Sequence, residues 1–211
     1  IYEAATKKGA YWNAHNNLGA TYIAQAMENP SRASELADKA AAQLEIAAKV
    51  KETSEVHANM ATISLWKGNP YKAASHANAA LNGANSDVTR GVNGIKGACE
   101  IYMAKYDAAV RSESAAVETD VNLFNKGLAQ LLTKDYANAT TSFGESTRKN
   151  ANYAIAYYGA AIAAARSGNG DGVVSNLSSA VKIDASLKDK ALTDLEFSKF
   201  ATTDSFRNAL K

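Results

Sequence analysis

The sequence predicts an all-α solenoid, a stack of helix pairs, and three observations carry that prediction. Apolar and small residues recur at three- and four-residue steps along most of the chain, the spacing of helices rather than strands. Small residues stand at the centre of successive first helices: Gly19, Ala61, Gly97, Gly127 and Gly159, which are 42, 36, 30 and 32 residues apart. A period of that size with two helices per unit marks a stacked repeat array. The composition agrees, with 13 glycines against two prolines and 46% apolar residues, a mixture that suits closely packed helices.

In chain order, residues 1–9 read as the end of a helix that begins upstream, the remnant of a truncated repeat. Residues 11–50 form the first full pair. Leu18, Gly19 and Tyr22 share one face of its first helix. Asn29–Pro30 opens its second helix, with Asn29 as cap and Pro30 at the first position. That helix continues through Ala40, Leu44 and Ala47, and an insertion of about two turns within 26–40 explains the long first spacing. The second pair, 54–83, repeats the Asn–Pro device at Asn69–Pro70. The third, 87–117, begins at Asp87 as cap and carries Ile95, Gly97, Ile101 and Tyr102, then Tyr106, Ala109, Val110 and Ala116.

The fourth pair, 119–149, is the clearest. Leu123, Gly127, Leu131 and Leu132 fall on helix spacing, a turn at Thr133, Lys134 and Asp135 follows, and Tyr136, Ala139 and Phe143 resume the period. A mid-helix glycine costs about 1 kcal/mol relative to alanine, so Gly127 demands a neighbour that presses against it. The fifth pair, 151–184, has Gly159 in its first helix and a loop over 167–172. Residues 185–211 change pattern, with Leu187, Ala191 and Leu195 at four-residue steps and then Phe197, Phe200 and Phe206; they read as closing helices that cover the last pair.

These residues carry a family resemblance. Leu18–Gly19 with Tyr22, Gly68 with Ala73, Asp135–Tyr136 with Ala139 and Phe143, and Ala180–Val181 with Ile183–Asp184 together resemble the tetratricopeptide repeat (TPR), a helix–turn–helix unit of about 34 residues. Ala185 replaces the usual proline, Glu113 stands where a bulky apolar residue is expected, and Ser146 replaces an alanine. The resemblance covers about 1–184. It implies a right-handed α-solenoid of about five TPR-like helix pairs plus C-terminal capping helices, forming a single solenoid over 1–211.

The function classes narrow accordingly. A net charge of +2, with basic residues scattered along the chain, argues against nucleic acid. No run of 18 apolar residues predicts membrane insertion. Cys99 lies among small and apolar residues, as a buried inert thiol would. His15 and His57 stand four residues before Gly19 and Ala61, where the family places an aromatic packing residue; His76 lies alone on a second helix. No metal-ligand motif is present, and residues 167–172 lack the lysine of a P-loop and the acidic ligands of an EF-hand, which leaves an interhelical turn. Glu113 with Glu118, and Asp184 with Asp189, fall on predicted solvated faces or turns. No catalytic set and no cofactor site emerge, which points to a non-enzymatic chain.

What remains is the inner face that the resemblance implies. Residues two before each central small residue are Asn17, Asn59, Ile95, Asn125 and Tyr157. Three asparagines in register resemble the asparagine ladder in the TPR superhelix of protein O-linked N-acetylglucosamine transferase. A carboxamide both donates and accepts, so it can hold a peptide backbone without reading side chains. Asn16, Trp66, Tyr102, Phe124, Leu128 and Tyr157 complete the expected binding face, with Trp66 and Phe124 as the contact aromatics. The places where chaperone-binding TPR clamps carry cations hold Asn16, Ala20, Gly91 and Ile95, so a terminal carboxylate is not the expected ligand. The expectation is a scaffold that binds a peptide segment or partner subunit in its concave groove. The alternative is a recruiting or assembly arm of a larger enzyme or cell-envelope protein. A homodimer through the truncated N-terminal repeat or the groove is a third reading, and the sequence leaves the compartment open between cytoplasm and periplasm.

Overall fold

The computed structural model describes residues 2–6 and 11–211. The helices are α1 (Tyr2–Thr6), α2 (Trp12–Glu28), α3 (Ala33–Val50), α4 (Ser54–Trp66), α5 (Pro70–Leu81), α6 (Ser86–Tyr102), α7 (Tyr106–Ser114), α8 (Asp120–Leu132), α9 (Tyr136–Lys149), α10 (Ala154–Arg166), α11 (Gly170–Ile183), α12 (Leu187–Thr193) and α13 (Asp204–Ala209). Two 3-10 turns, Pro30–Arg32 and Leu195–Phe197, complete the list, and the described residues contain no strand. The fold is an all-α solenoid of consecutive packed helix pairs. Of the remnant predicted over 1–9, α1 is described; residues 1 and 7–9 lie outside the described residues.

The chain divides into two compact units. In the first, Ile1–Lys105 with Ala115–Val117, α2 packs on α3, α3 on α4, α4 on α5, and α5 on α6. In the second, Tyr106–Ser114 with Glu118–Lys211, α7 packs on α8, α8 on α9, α9 on α10, α10 on α11, and α11 on α12 and α13.

Local chemistry sets the helix boundaries. Side chains of Thr53, Asn69, Asn85, Thr119, Asp135, Asn169 and Thr203 each accept a hydrogen bond from a first-turn backbone N–H, filling donors that a helix start leaves unsatisfied. Two expected caps differ. Asn29 turns its amide back to the Gln25 carbonyl, because Pro30 opens a 3-10 turn ahead of α3. Asn85, not Asp87, caps α6; Asp87 sits inside the first turn and donates its backbone N–H to Asn85.

Four of the turns joining paired helices are built alike. Asn69, Lys105, Asp135 and Asn169 donate their backbone N–H to Ser64, Glu100, Gln130 and Ala164, at 2.8–2.9 Å. The residue before each has positive φ: Gly68, Ala104, Lys134 and Gly168. This is the Schellman ending, which satisfies orphan carbonyls and requires one left-handed residue.

The turns also correct the repeat register. Gly19, Ala61 and Gly127 are each the eighth residue of their helix; Gly97 is the twelfth because α6 starts one turn early. In α10 the eighth residue is Ala161, whereas Gly159 is the sixth. The equivalent of Gly127 is therefore Ala161, 34 residues on, and Gly159 stands two residues before the position the series requires.

Gly159 answers to the ring of the preceding pair. Phe143 is fully buried in α9, against Gly127 of α8 and Gly159 of α10. A Cβ at Gly127 would lie 2.9 Å from the ring, and one at Gly159 would lie 2.8 Å from it. The expected pressing neighbour of Gly127 is thus Phe143. Leu44 does the same to Gly19, where an added Cβ would stand 2.8 Å away.

The second helices bury a regular stripe. Counted along each helix, Ala40, Ala73, Ala109, Ala139 and Val173 are the first tier, Leu44, Ala77, Glu113, Phe143 and Leu177 the next, and Ala47, Ala80, Ser146 and Ala180 the third, with buried Ala116 just past the end of α7. Glu113 is buried on this stripe, which corrects its expected place on a solvated face: it occupies the register of Phe143. Ser146 is buried too, and its hydroxyl donates to the Asp120 carbonyl at 2.7 Å, so the departure from alanine gains a hydrogen bond.

The C-terminal segment caps the last pair. Phe197 and Phe206 are buried, and Phe197 meets the edge of Tyr158 with centroids 5.6 Å apart. The Tyr158 hydroxyl donates to Asp194 at 2.8 Å, and Arg166 holds Glu196 through two nitrogens at 2.9 and 2.6 Å. Burial first, and Asp194 second, push the Tyr158 hydroxyl well above its usual pKa. Leu195 is 86% exposed, a correction to the predicted apolar stripe: α12 stops at Thr193 and the 3-10 turn rotates Leu195 outward.

Candidate functional site

In the first unit, α2 and α4 bring two of the predicted residues together. Asn16 is buried, and its side-chain oxygen accepts from the Asn59 amide at 3.0 Å. Asn17, the residue that shares Asn59's register, is exposed. The link between the two helices therefore runs through Asn16.

Trp66 is the last residue of α4 and 41% exposed. It stands seven residues from Asn59, on the same helix face, yet its surroundings come from α3. With Lys67 it lines a cleft of about 530 Å³ whose other wall is Ala33, Ser34, Ala37 and Asp38. Lys67 and Asp38 pair at 2.5 Å. The added length of the first pair brings α3 there. Tyr102 ends α6 and is 75% exposed.

In the second unit, Phe124, Asn125 and Leu128 lie on α8 and are half-buried. Phe124 packs between Phe143 and Tyr153, with centroids 5.6 and 5.5 Å away, and Leu128 joins the same cluster with Leu131 and Ile162. Tyr157 is half-buried against the terminal core. Counted from the helix start, Tyr157 is equivalent to Leu123, His57 and His15 rather than to Asn125, whose counterpart in α10 is Gly159.

Polar pairs that the sequence reading did not assemble cross several hairpins. His15 Nδ1 lies 2.8 Å from Gln43 Oε1 between α2 and α3. His57 Nδ1 lies 3.2 Å from His76 Nδ1 between α4 and α5, so His76 is not alone. The Ser142 hydroxyl donates to Gln130 at 2.7 Å between α9 and α8, both side chains buried. The signal was present: Gln43, His76, Ser112, Ser142 and Asn176 each follow the first-tier residue of their second helix by three positions, and all are polar.

Cys99 is buried, and its thiol is pushed up to about 11 by burial first and Glu100 second, so it stays protonated at neutral pH. Among the described residues no group of three or more metal-ligating side chains converges, and no helix is long and apolar enough to cross a membrane.

No protein-family model and no curated protein sequence matches the chain. Solved structures do match in fold. The Cut9–Hcn1 assembly of the APC/C is similar over 99% of this chain and 38% of that one, with a TM-score of 0.72 and 14% identity. YrrB, described as a TPR protein with an unusual peptide-binding site, is similar over 88% of this chain and 93% of its own, with a TM-score of 0.60 and 18% identity. A tetratricopeptide repeat protein from Parabacteroides merdae is similar over 99% and 88%, with a TM-score of 0.61 and 15% identity. Paired helices, a recurring Schellman turn and these likenesses give the chain the tetratricopeptide repeat fold.

Proposed function

We propose that the chain is a non-enzymatic interaction scaffold that holds an extended peptide segment of a partner protein on the exposed faces of its first helices. The supporting observation is the Asn16–Asn59 pair, in which a buried carboxamide orients a half-exposed one. A carboxamide fixed before binding loses little freedom when it meets a peptide group, and it both donates and accepts. Asn17 and Asn125 occupy the same place on their own helices, so a carboxamide recurs at that register. The peptide-binding description of YrrB, a structure of the same fold, agrees with this reading. Phe124, which packs into the core, supports the wall; Trp66 and Tyr102 are exposed aromatics available to side chains of the ligand.

The test is selection from a random peptide library on the immobilised full chain, followed by affinity measurement. Asn59→Ala and Asn125→Ala are expected to weaken the selected peptides about fivefold or more each, the loss of a peptide hydrogen bond, with helical content unchanged. Equal affinity for both variants and the native chain would overturn the proposal.

A further inference from the structure

The His57–His76 pair is a second feature, independent of peptide binding. The rings stack with centroids 5.4 Å apart and a 28° angle between planes, and their Nδ1 atoms are 3.2 Å apart. His76 Nε2 is sealed from solvent with no hydrogen-bond partner, while His57 Nε2 lies 4.0 Å from a Glu52 carboxylate oxygen. These contacts fix the protons. A bare nitrogen at the sealed site costs less than a stranded N–H, so His76 donates its Nδ1–H to His57 Nδ1. His57 then keeps its proton on Nε2, toward Glu52.

A neutral pair of this kind cannot take another proton and survive. Added to His57 Nδ1, the proton would set two N–H groups face to face; added to His76 Nε2, it would be buried without an acceptor. His15 and Gln43 behave differently, since a charged His15 still donates to the Gln43 oxygen.

We propose that the His57–His76 pair makes the α4–α5 hairpin acid-sensitive, its two helices loosening as the pH falls through the histidine range. A cleft of about 560 Å³, lined by Glu52, Glu55, His57, Asn82 and Asn85, opens onto His57 and admits the proton. Lys72 on α5 and the neighbouring His57 oppose its protonation, and Glu52, from the α3–α4 connection, favours it. From α6, packed on both helices, Asp87 and Arg90 are exposed; on α3, Glu45 faces a separate cleft with Lys67 and Lys72. Burial outweighs the rest and holds His76 below its ordinary value of 6.5. The unfolded hairpin takes up the proton first, so the stabilisation is whole above the unfolded value and drains away as the pH drops below it.

The experiment is amide hydrogen exchange on the full chain at about pH 7.5 and about pH 5, corrected for intrinsic rates. The second unit is the internal control, since the three histidines all lie in the first. Protection of α4 and α5 is expected to fall several-fold more than that of α8 and α9, because the native hairpin disfavours the proton that the opened one accepts. His76→Gln, which recreates the His15–Gln43 arrangement, is expected to abolish the excess. NMR titration of the native imidazoles, which needs no variant, is expected to show His76 titrating below a free histidine. Parallel loss of protection in both hairpins, undiminished acid sensitivity in His76→Gln, or an ordinary His76 titration would each overturn the proposal.

Discussion

The α4–α5 and α8–α9 hairpins share a turn, a cap and a register, yet their interiors are filled in opposite ways. In α8–α9 a phenylalanine ring enters notches left by two glycines, Gly127 and Gly159. In α4–α5 the positions of Gly127 and Phe143 are held by Ala61 and Ala77, both fully buried, and small meets small. Helix pairs tolerate either solution because close packing constrains the volume shared across the contact, not the identity of either side. The difference lies in how each would fail. The aromatic joint depends on empty space at glycine, whereas the alanine joint sits beside a histidine pair that depends on protonation.

Removing the knob should have the largest effect. Phe143→Ala is expected to destabilise the second unit by about 3–5 kcal/mol, the usual cost of deleting a buried phenylalanine, measured by urea unfolding. Filling a notch comes next. Gly127→Ala is expected to cost about 1–3 kcal/mol through overpacking, partly offset by better helix propensity. Gly144→Ala, at a helical site with no atom within 4 Å of the added Cβ, should instead stabilise by up to about 1 kcal/mol. The opposite signs of two glycine-to-alanine changes in one hairpin sharpen the comparison, because propensity alone predicts the same sign. The smallest effect belongs to the turn. Lys134 holds φ +66° where α4–α5 has Gly68, so Lys134→Gly should raise stability by a fraction of about 1 kcal/mol, seen as a small rise in thermal midpoint.

Much of this architecture was legible from the chain. Period, paired helices and the need for a neighbour at Gly127 follow from spacing and from what a mid-helix glycine costs. The misassigned register at Gly159 has a plain cause: two glycines in successive first helices serve the same ring, and aligning them on residue type equated positions two residues apart. Leu195 looked apolar-periodic because a helix was assumed to continue past Thr193. The candidate site was less legible. His57 and His76 are 19 residues apart on different helices, and their meeting appears only when Gln43, His76 and Ser142 are aligned on the buried alanines Ala40, Ala73 and Ala139 three positions before them. Trp66 was placed by its helix face, whereas its surroundings are set by the extra length of α3, which period alone does not orient.

A double-mutant cycle between Phe143 and Gly159 tests most directly how successive pairs are joined. With Phe143 present, Gly159→Ala is expected to destabilise the full chain in urea unfolding. In a Phe143→Ala background the same change should be neutral or stabilising, with a coupling of about 1–3 kcal/mol. An equal effect of Gly159→Ala in both backgrounds would contradict the ring-in-notch joint on which the packing of α8, α9 and α10 rests.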